Sequence, residues 1–178
     1  MGRGCKTLFI SIIISVVLLI TFAGILYYHN EIYLYKTDYL DAVMASAAKY
    51  NVDVYLIFAV IKVESAFNKD ALSSAGAVGL MQIMPETAEY IQDTKVEIKS
   101  LLDPSFNIDT GVKYLDYLSG KFESLEWMLV GYNAGETKAR EWFNEGIKPQ
   151  DVPYKETRDY IIKVKKAMQR YRQLHYLY

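Results

Sequence analysis

Cysteine and histidine are scarce in this 178-residue chain: one cysteine, Cys5, and two histidines, His29 and His175. A structural zinc site draws its ligands from clustered Cys, His and carboxylates, and no such spacing occurs. No metal or other cofactor is therefore expected. A single cysteine makes no internal disulfide, so the fold has to rest on packing. Cys5 lies before an apolar run, whereas a lipoprotein cysteine would follow one, and its place beside the run is only a weak pointer to S-acylation. An excess of charge of one sign is also missing. Twenty basic against 21 acidic residues leave a net charge of -1, which argues against a nucleic-acid partner. The alternating apolar pattern of strands is absent, as are internal repeats and low-complexity linkers.

What the chain does have is one long apolar run, Leu8 to Tyr28, without a charged residue. A helix needs roughly 20 such residues to cross a bilayer. Arg3 and Lys6 precede the run, and no Lys or Arg follows it until Lys36. The positive-inside bias then places the N-terminus in the cytoplasm and all that follows outside, with Tyr27 and Tyr28 at the outer interface. The alternative is a cleaved secretory signal. The run is longer than the usual signal core and no clean small-x-small cleavage site follows it, so an uncleaved anchor is expected. The expected organisation is a cytoplasmic tip over 1–7, an anchor over 8–28, a stalk over 29–36 and one domain over 37–178. The protein is expected in the cell membrane as a single-pass chain with that domain on the cell-wall side. Whether that side is periplasm or an external wall stays open.

Beyond the stalk the periodicity is helical throughout. Leu40, Val43, Met44 and Ala47 form one stripe. Val54 to Glu64 is the most apolar helix. Pro85 followed by Glu86 suits a helix start, as does Asp103 as N-cap before Pro104. Ile108, Val112, Leu115, Leu118 and Phe122 continue at steps of three and four. Glu123 to Asn133 and Thr137 to Asn144 read as two more helices, and Gly146 to Pro153 as a loop. Ile161, Val164, Met168 and Tyr171 mark a long terminal helix. The same helix carries Lys163, Lys165, Lys166, Arg170 and Arg172, either as a solvated face or as a contact for an anionic wall polymer or lipid surface. The fold class is all-α.

Glu64 stands out on this background. Ile57, Val60, Ile61 and Glu64 share one helix face, so the carboxyl lies on an apolar stripe. Desolvation raises the pKa of such a group, as a general acid near neutral pH requires. Read from periodicity alone, Glu64 is rather a partly exposed residue at a helix C-terminus, or one bonded to neighbouring backbone.

The residues after it decide between these readings. Glu64-Ser-Ala-Phe-Asn-Lys-Asp-Ala-Leu-Ser73 runs on to Gly76, then Gly79-Leu-Met-Gln82-Ile-Met84-Pro85. Three blocks follow: Gly111-Val-Lys-Tyr114-Leu115, Gly131-Tyr132-Asn133-Ala134-Gly135 and Pro153-Tyr154-Lys-Glu156-Thr157-Arg158-Asp-Tyr160. In this order they resemble the signature of the lysozyme-like soluble lytic transglycosylases, with Gly131 where the family usually has Ala. The resemblance covers nearly all of the expected domain and implies a lysozyme-like helical fold preceded by one transmembrane helix.

The resemblance also implies a reaction. Such enzymes cleave the β-1,4 bond from N-acetylmuramic acid to N-acetylglucosamine in peptidoglycan and leave a 1,6-anhydromuramic acid end. Glu64 would be the single general acid and base. By the same resemblance Ser73, Gln82, Met84, Tyr114, Tyr132, Asn133, Glu156 and Tyr160 would bind substrate, Gln82 by hydrogen bonding and the tyrosines as groove walls. Other uses fit several of these residues. Ser73 can close a turn, Met84 can fill core space, Asn133 can cap a helix, and Glu156 can serve a helix N-terminus. Gly76 and Gly79 suit tight turns and close approach. The implied partners are glycan strands, the membrane and, less directly, a cell-envelope protein complex. The alternatives are a muramidase that admits water and a glycan-binding component that does not cut.

Overall fold

The structure is a computed structural model, and it describes residues 3–175, with side chains from residue 8 onward. Residues 1–2 of the expected tip, the Cys5 side chain and the last three residues of the expected domain lie outside the described residues. The chain divides into two compact units, one ending at Lys36 and one beginning at Thr37.

The first unit is a single helix, α1, Arg3–Leu34. Its segment Leu8–Leu34 is long and apolar enough to cross a membrane. The helix runs past Tyr28 into the segment expected as a stalk, because no glycine or proline from His29 to Leu34 interrupts it. Its Ser11, Ser15 and Thr21 hydroxyls bond within the helix: Ser11 Oγ donates to the Leu8 carbonyl at 2.8 Å and Ser15 Oγ to that of Ser11 at 2.9 Å. An apolar medium offers such groups no other partner.

The second unit is built from helices α2 Leu40–Tyr50, α3 Val54–Ser65, α4 Pro85–Gln92, α5 Ile98–Leu101, α6 Pro104–Ser119, α7 Leu125–Ala134, α8 Glu136–Asn144 and α9 Lys155–Leu174. No strand forms among the described residues; two isolated antiparallel bridges, Leu72 with Val78 and Val78 with Ile83, lie in the segment between α3 and α4. The fold is the all-helical one expected.

At the centre is α3, where Leu56 to Ile61 form an unbroken buried run. Being apolar all round, the helix is enclosed rather than laid on a surface. Its flanks are α2 and α9. The Asp53 carboxylate caps it, accepting from Tyr55 N at 2.8 Å. Phe58 stacks against Tyr171 of α9, ring centres 5.5 Å apart. Asp103 caps α6 through Phe106 N at 2.9 Å, with Pro104 in the first turn, and Ser124 caps α7 through Trp127 N at 3.2 Å.

Ile108, Val112, Leu115 and Leu118 of α6 are fully buried, and α6 packs on α2, α4 and α7. On α9 the buried line runs through Tyr160, Ile161, Val164, Ala167 and Tyr171. Met168, expected in that line, is only half-buried, because Ala167 takes the place one turn from Val164. The single turn α5 and a 3-10 turn at Pro149–Asp151 went unread in the sequence, being too short to carry a period.

Candidate active site

Glu64 occupies the last turn of α3, one residue before its end. Ala66 and Phe67 then adopt left-handed φ values of 50° and 68°, which turns the chain sharply away from the helix. Ser65 Oγ donates to the Leu80 carbonyl at 2.8 Å and so ties the helix end to the following loop. The Glu64 side chain is half-buried by surface area. Burial is the main reason its pKa rises to about 7; a nearby Tyr160 phenol pulls it down, and the charge of Glu156 pushes it further up.

Tyr160 is 5% exposed. Its hydroxyl acts on the Glu64 carboxyl, yet it makes no full hydrogen bond among the described residues. The ring stacks on Tyr132, 6.5 Å between centres and 3° from parallel. Tyr132 in turn lies 5.3 Å from Tyr114 and donates its hydroxyl proton to the Met81 carbonyl at 2.8 Å. Burial and the Glu64 charge hold the Tyr132 and Tyr160 phenols well above their ordinary pKa, so both remain neutral hydrogen-bonding groups. Four helices thus bring one carboxyl and three tyrosines together: α3 supplies Glu64, α6 Tyr114, α7 Tyr132 and α9 Tyr160.

The loop between α3 and α4 forms another wall. Gln82 was expected to offer its amide to substrate. Its Nε2 instead donates to the carbonyls of Gly79 at 2.9 Å and Ala71 at 3.2 Å, because the left-handed backbone at residue 82 (φ 48°) folds the side chain back on its own loop. Ser73 Oγ accepts from Ala77 N at 2.9 Å, which is the turn-closing use noted above. Gly79 combines φ 80° with close approach: a Cβ there would lie 2.4 Å from Asn107 Nδ2 and 2.5 Å from the Leu101 carbonyl oxygen.

Asn107 was not singled out in the sequence. It is fully buried and satisfies three backbone groups at once. Its Oδ1 accepts from Met81 N at 2.8 Å, and its Nδ2 donates to the Val78 and Leu101 carbonyls, both at 2.9 Å. The available signal was its phase, since Asn107 falls on the buried line of Gly111, Tyr114 and Leu118.

Gln82, Met84, Tyr114, Tyr132 and Asn133 line one cleft of about 220 Å³, with Ile83, Thr87, Ala134 and Gly135. Glu64 and Tyr160 are not in that lining and connect to it through Tyr132. Asn133 Oδ1 accepts from Thr157 Oγ1 at 2.8 Å, joining α7 to α9. Ser73 is outside the lining, and Glu156 is exposed in the first turn of α9, where its charge reaches Glu64. Among the described residues, no three His, Cys, Asp or Glu side chains gather in a way that could hold a metal ion.

Such an arrangement can hold a proton near neutral pH beside an aromatic cleft. Residues 41–152 match the family model described as the transglycosylase SLT domain. The chain is similar to membrane-bound lytic murein transglycosylase C of Histophilus somni strain 2336, at 30% identity over 80% of this chain and 48% of that protein. The corresponding protein of Mannheimia succiniciproducens is 31% identical over 86% and 52%. The chain thus spans about half the length of these curated relatives. Among solved structures, the complex of a 70-kDa soluble lytic transglycosylase with bulgecin A superposes with a TM-score of 0.76 at 29% identity, over 86% of this chain and 27% of that one. Lytic transglycosylase Slt of Pseudomonas aeruginosa, in an inactive mutant with glutamate changed to glutamine, gives 0.71 at 27% identity, over 79% and 25%.

Proposed function

The chain belongs to the family of the transglycosylase SLT domain, and from that premise we propose that it is a peptidoglycan lytic transglycosylase with Glu64 as its one proton-transfer group. The bond cut is the β-1,4 link from N-acetylmuramic acid to N-acetylglucosamine. A carboxyl with a pKa of about 7 keeps a large protonated fraction at neutral pH and can donate to the bridging oxygen as the C1–O bond breaks. The muramic 6-hydroxyl then attacks C1, and its proton goes to the Glu64 carboxylate. A C1–O6 bond replaces the C1–O4 bond, no water is consumed and the acid is restored.

A tethered nucleophile explains why one carboxyl suffices where most glycosidases use two. An attacking group on the same sugar gains up to about 7–11 kcal/mol from proximity alone. Tyr132 and Tyr160 exclude water from the acid, and Tyr114 extends the wall for sugar faces. Glu156 transfers no proton; its charge helps keep Glu64 protonated. The observation that carries this reading is the half-buried Glu64 carboxyl facing neutral tyrosine phenols. A structural neighbour that is inactive when one glutamate becomes glutamine adds support.

The apolar α1 anchors the enzyme as a single-pass membrane protein, with the N-terminus in the cytoplasm and the catalytic unit on the wall side. The relatives named membrane-bound support the anchoring, and Arg3 and Lys6 before the span support the orientation.

Digestion of purified cell walls tests the chemistry. Mass spectrometry of the products should show 1,6-anhydro ends from the wild type and almost none from Glu64→Gln. Reducing ends in place of anhydro ends would make the protein a muramidase. A Glu64→Gln variant cutting at wild-type rate would remove Glu64 from the mechanism.

A further inference from the structure

The aromatic wall continues beyond the cleft. Thr87, Tyr114 and Gly135 line the cleft, and each has a neighbour slightly further along the chain: Tyr90 on α4, Tyr117 on α6 and Glu136 at the start of α8. These three side chains are bonded in series. The Tyr117 hydroxyl donates to Glu136 Oε2 at 2.7 Å. A phenol has one hydrogen, so the 3.0 Å bond between the Tyr90 and Tyr117 hydroxyls is donated by Tyr90. Arg140 bonds the other Glu136 oxygen. Burial pushes the Glu136 pKa up, but the Arg140 and Tyr117 hydrogen bonds outweigh it and hold the carboxyl below its usual range. The series therefore ends on a charged acceptor.

Five rings follow one another outward from Glu64: Tyr160, Tyr132, Tyr114, Tyr117 and Tyr90. Successive centres are 6.5, 5.3, 6.4 and 5.6 Å apart. The first ring is buried and the last is 65% exposed. An exposed tyrosine ordinarily gains nothing from being held in one position. Tyr90 is held nonetheless, by its hydrogen bond and by an edge contact with Tyr117 at 82°. A ring fixed in advance loses little further entropy when a ligand settles on it.

We propose that Tyr90, Tyr117 and Glu136 form an outer saccharide subsite, continuous with the cleft, that holds a glycan strand beyond the sugars at Glu64. A sugar's C–H face packs on the Tyr90 ring. Its hydroxyl or N-acetyl N–H donates to Glu136 or to the Tyr90 oxygen, which keeps its acceptor lone pairs. The subsite makes the enzyme favour long strands over short fragments. The assignment rests on the transglycosylase reading above for the identity of the ligand as peptidoglycan glycan.

Calorimetric titration of the full chain carrying Glu64→Gln separates the subsite from cleavage. The two ligands are a purified peptidoglycan tetrasaccharide and long glycan strands. Adding Tyr90→Ala should weaken long-strand binding about five- to tenfold more than tetrasaccharide binding, the size of one lost aromatic contact. Equal loss on both ligands, or no loss on either, overturns the subsite and leaves the three residues as a latch between helices. Failure of the transglycosylase reading shows elsewhere, as wild-type digests without anhydro ends, so the two failures are distinguishable.

Discussion

At Glu64 two neighbours act in opposite directions, and each can be removed alone. Tyr160 lowers the pKa and Glu156 raises it, both against the larger effect of burial. With Glu64 as the proton donor proposed above, activity should fall as pH rises past about 7. Tyr160→Phe should shift that alkaline limb to higher pH, and Glu156→Gln should shift it lower; pH–rate profiles of kcat/KM check both. Shifts of the same sign in the two variants would break the assignment.

Stability responds to the same residue. Burial lifts the folded pKa above the ordinary carboxyl value of 4.5, so the folded state holds this proton more tightly than the unfolded chain does. The contribution is complete below about pH 4.5 and is lost as pH rises through about 7. Glu64→Gln should therefore stabilise the protein relative to wild type at pH 8 and not at pH 4. The gain is on the order of 1–3 kcal/mol, reduced because the residue is only half-buried. Melting curves at the two pH values measure it. Its phase with Ile57, Val60 and Ile61 alone left Glu64 an ordinary helix-end acid, and the block running on through Ser73 to Pro85 singled it out. Asn107 was less visible, since one polar residue in an apolar phase says nothing about which backbone groups it serves.

Among the elements, the loop between α3 and α4 is held by side chains more than by regular pairing. Asn107 satisfies a donor and two acceptors there. Asn107→Ala strands all three in a dry interior and should cost about 2–4 kcal/mol in urea unfolding. Gly79→Ala should be at least as damaging, because a methyl group meets Asn107 and the Leu101 carbonyl while the backbone stays left-handed. The helices around this loop were legible through stripes and caps, as Asp103 with Pro104 illustrates. The loop's own bonding was not. Gln82 lines the cleft, yet its Nε2 is held by the Gly79 and Ala71 carbonyls, and no local pattern announces those bonds.

For the whole molecule, the site exists only when four helices meet. Tyr132 reaches the Met81 carbonyl 51 positions away, and no periodicity specifies such a partner. The sequence carried the residues of the site through four short blocks, and the packing of α3 against α9 supplied their arrangement. Loss of cleavage should therefore coincide with loss of near-ultraviolet circular dichroism on heating.

The two units make separate predictions. Deleting residues 1–36 should move the protein from the membrane fraction to the soluble fraction with its helical circular dichroism retained, since the unit from Thr37 onward holds its own core. Cys5 is the sole thiol. A membrane-impermeant maleimide should label it only after lysis; labelling in intact cells would reverse the orientation.

The Tyr160 hydroxyl is buried, and among the described residues only the Glu64 carboxyl acts on it, without a full hydrogen bond. Stripping it of water cost free energy when the chain folded, and the nearby Glu64 carboxyl, short of full hydrogen-bond geometry, returns only part of that cost. A guest that brings an oxygen to it restores the missing bond without paying for dehydration of the phenol. Selectivity at this position therefore follows from a deficit left by folding: acceptor-rich sugars gain from it, and an equally bulky hydrocarbon gains nothing.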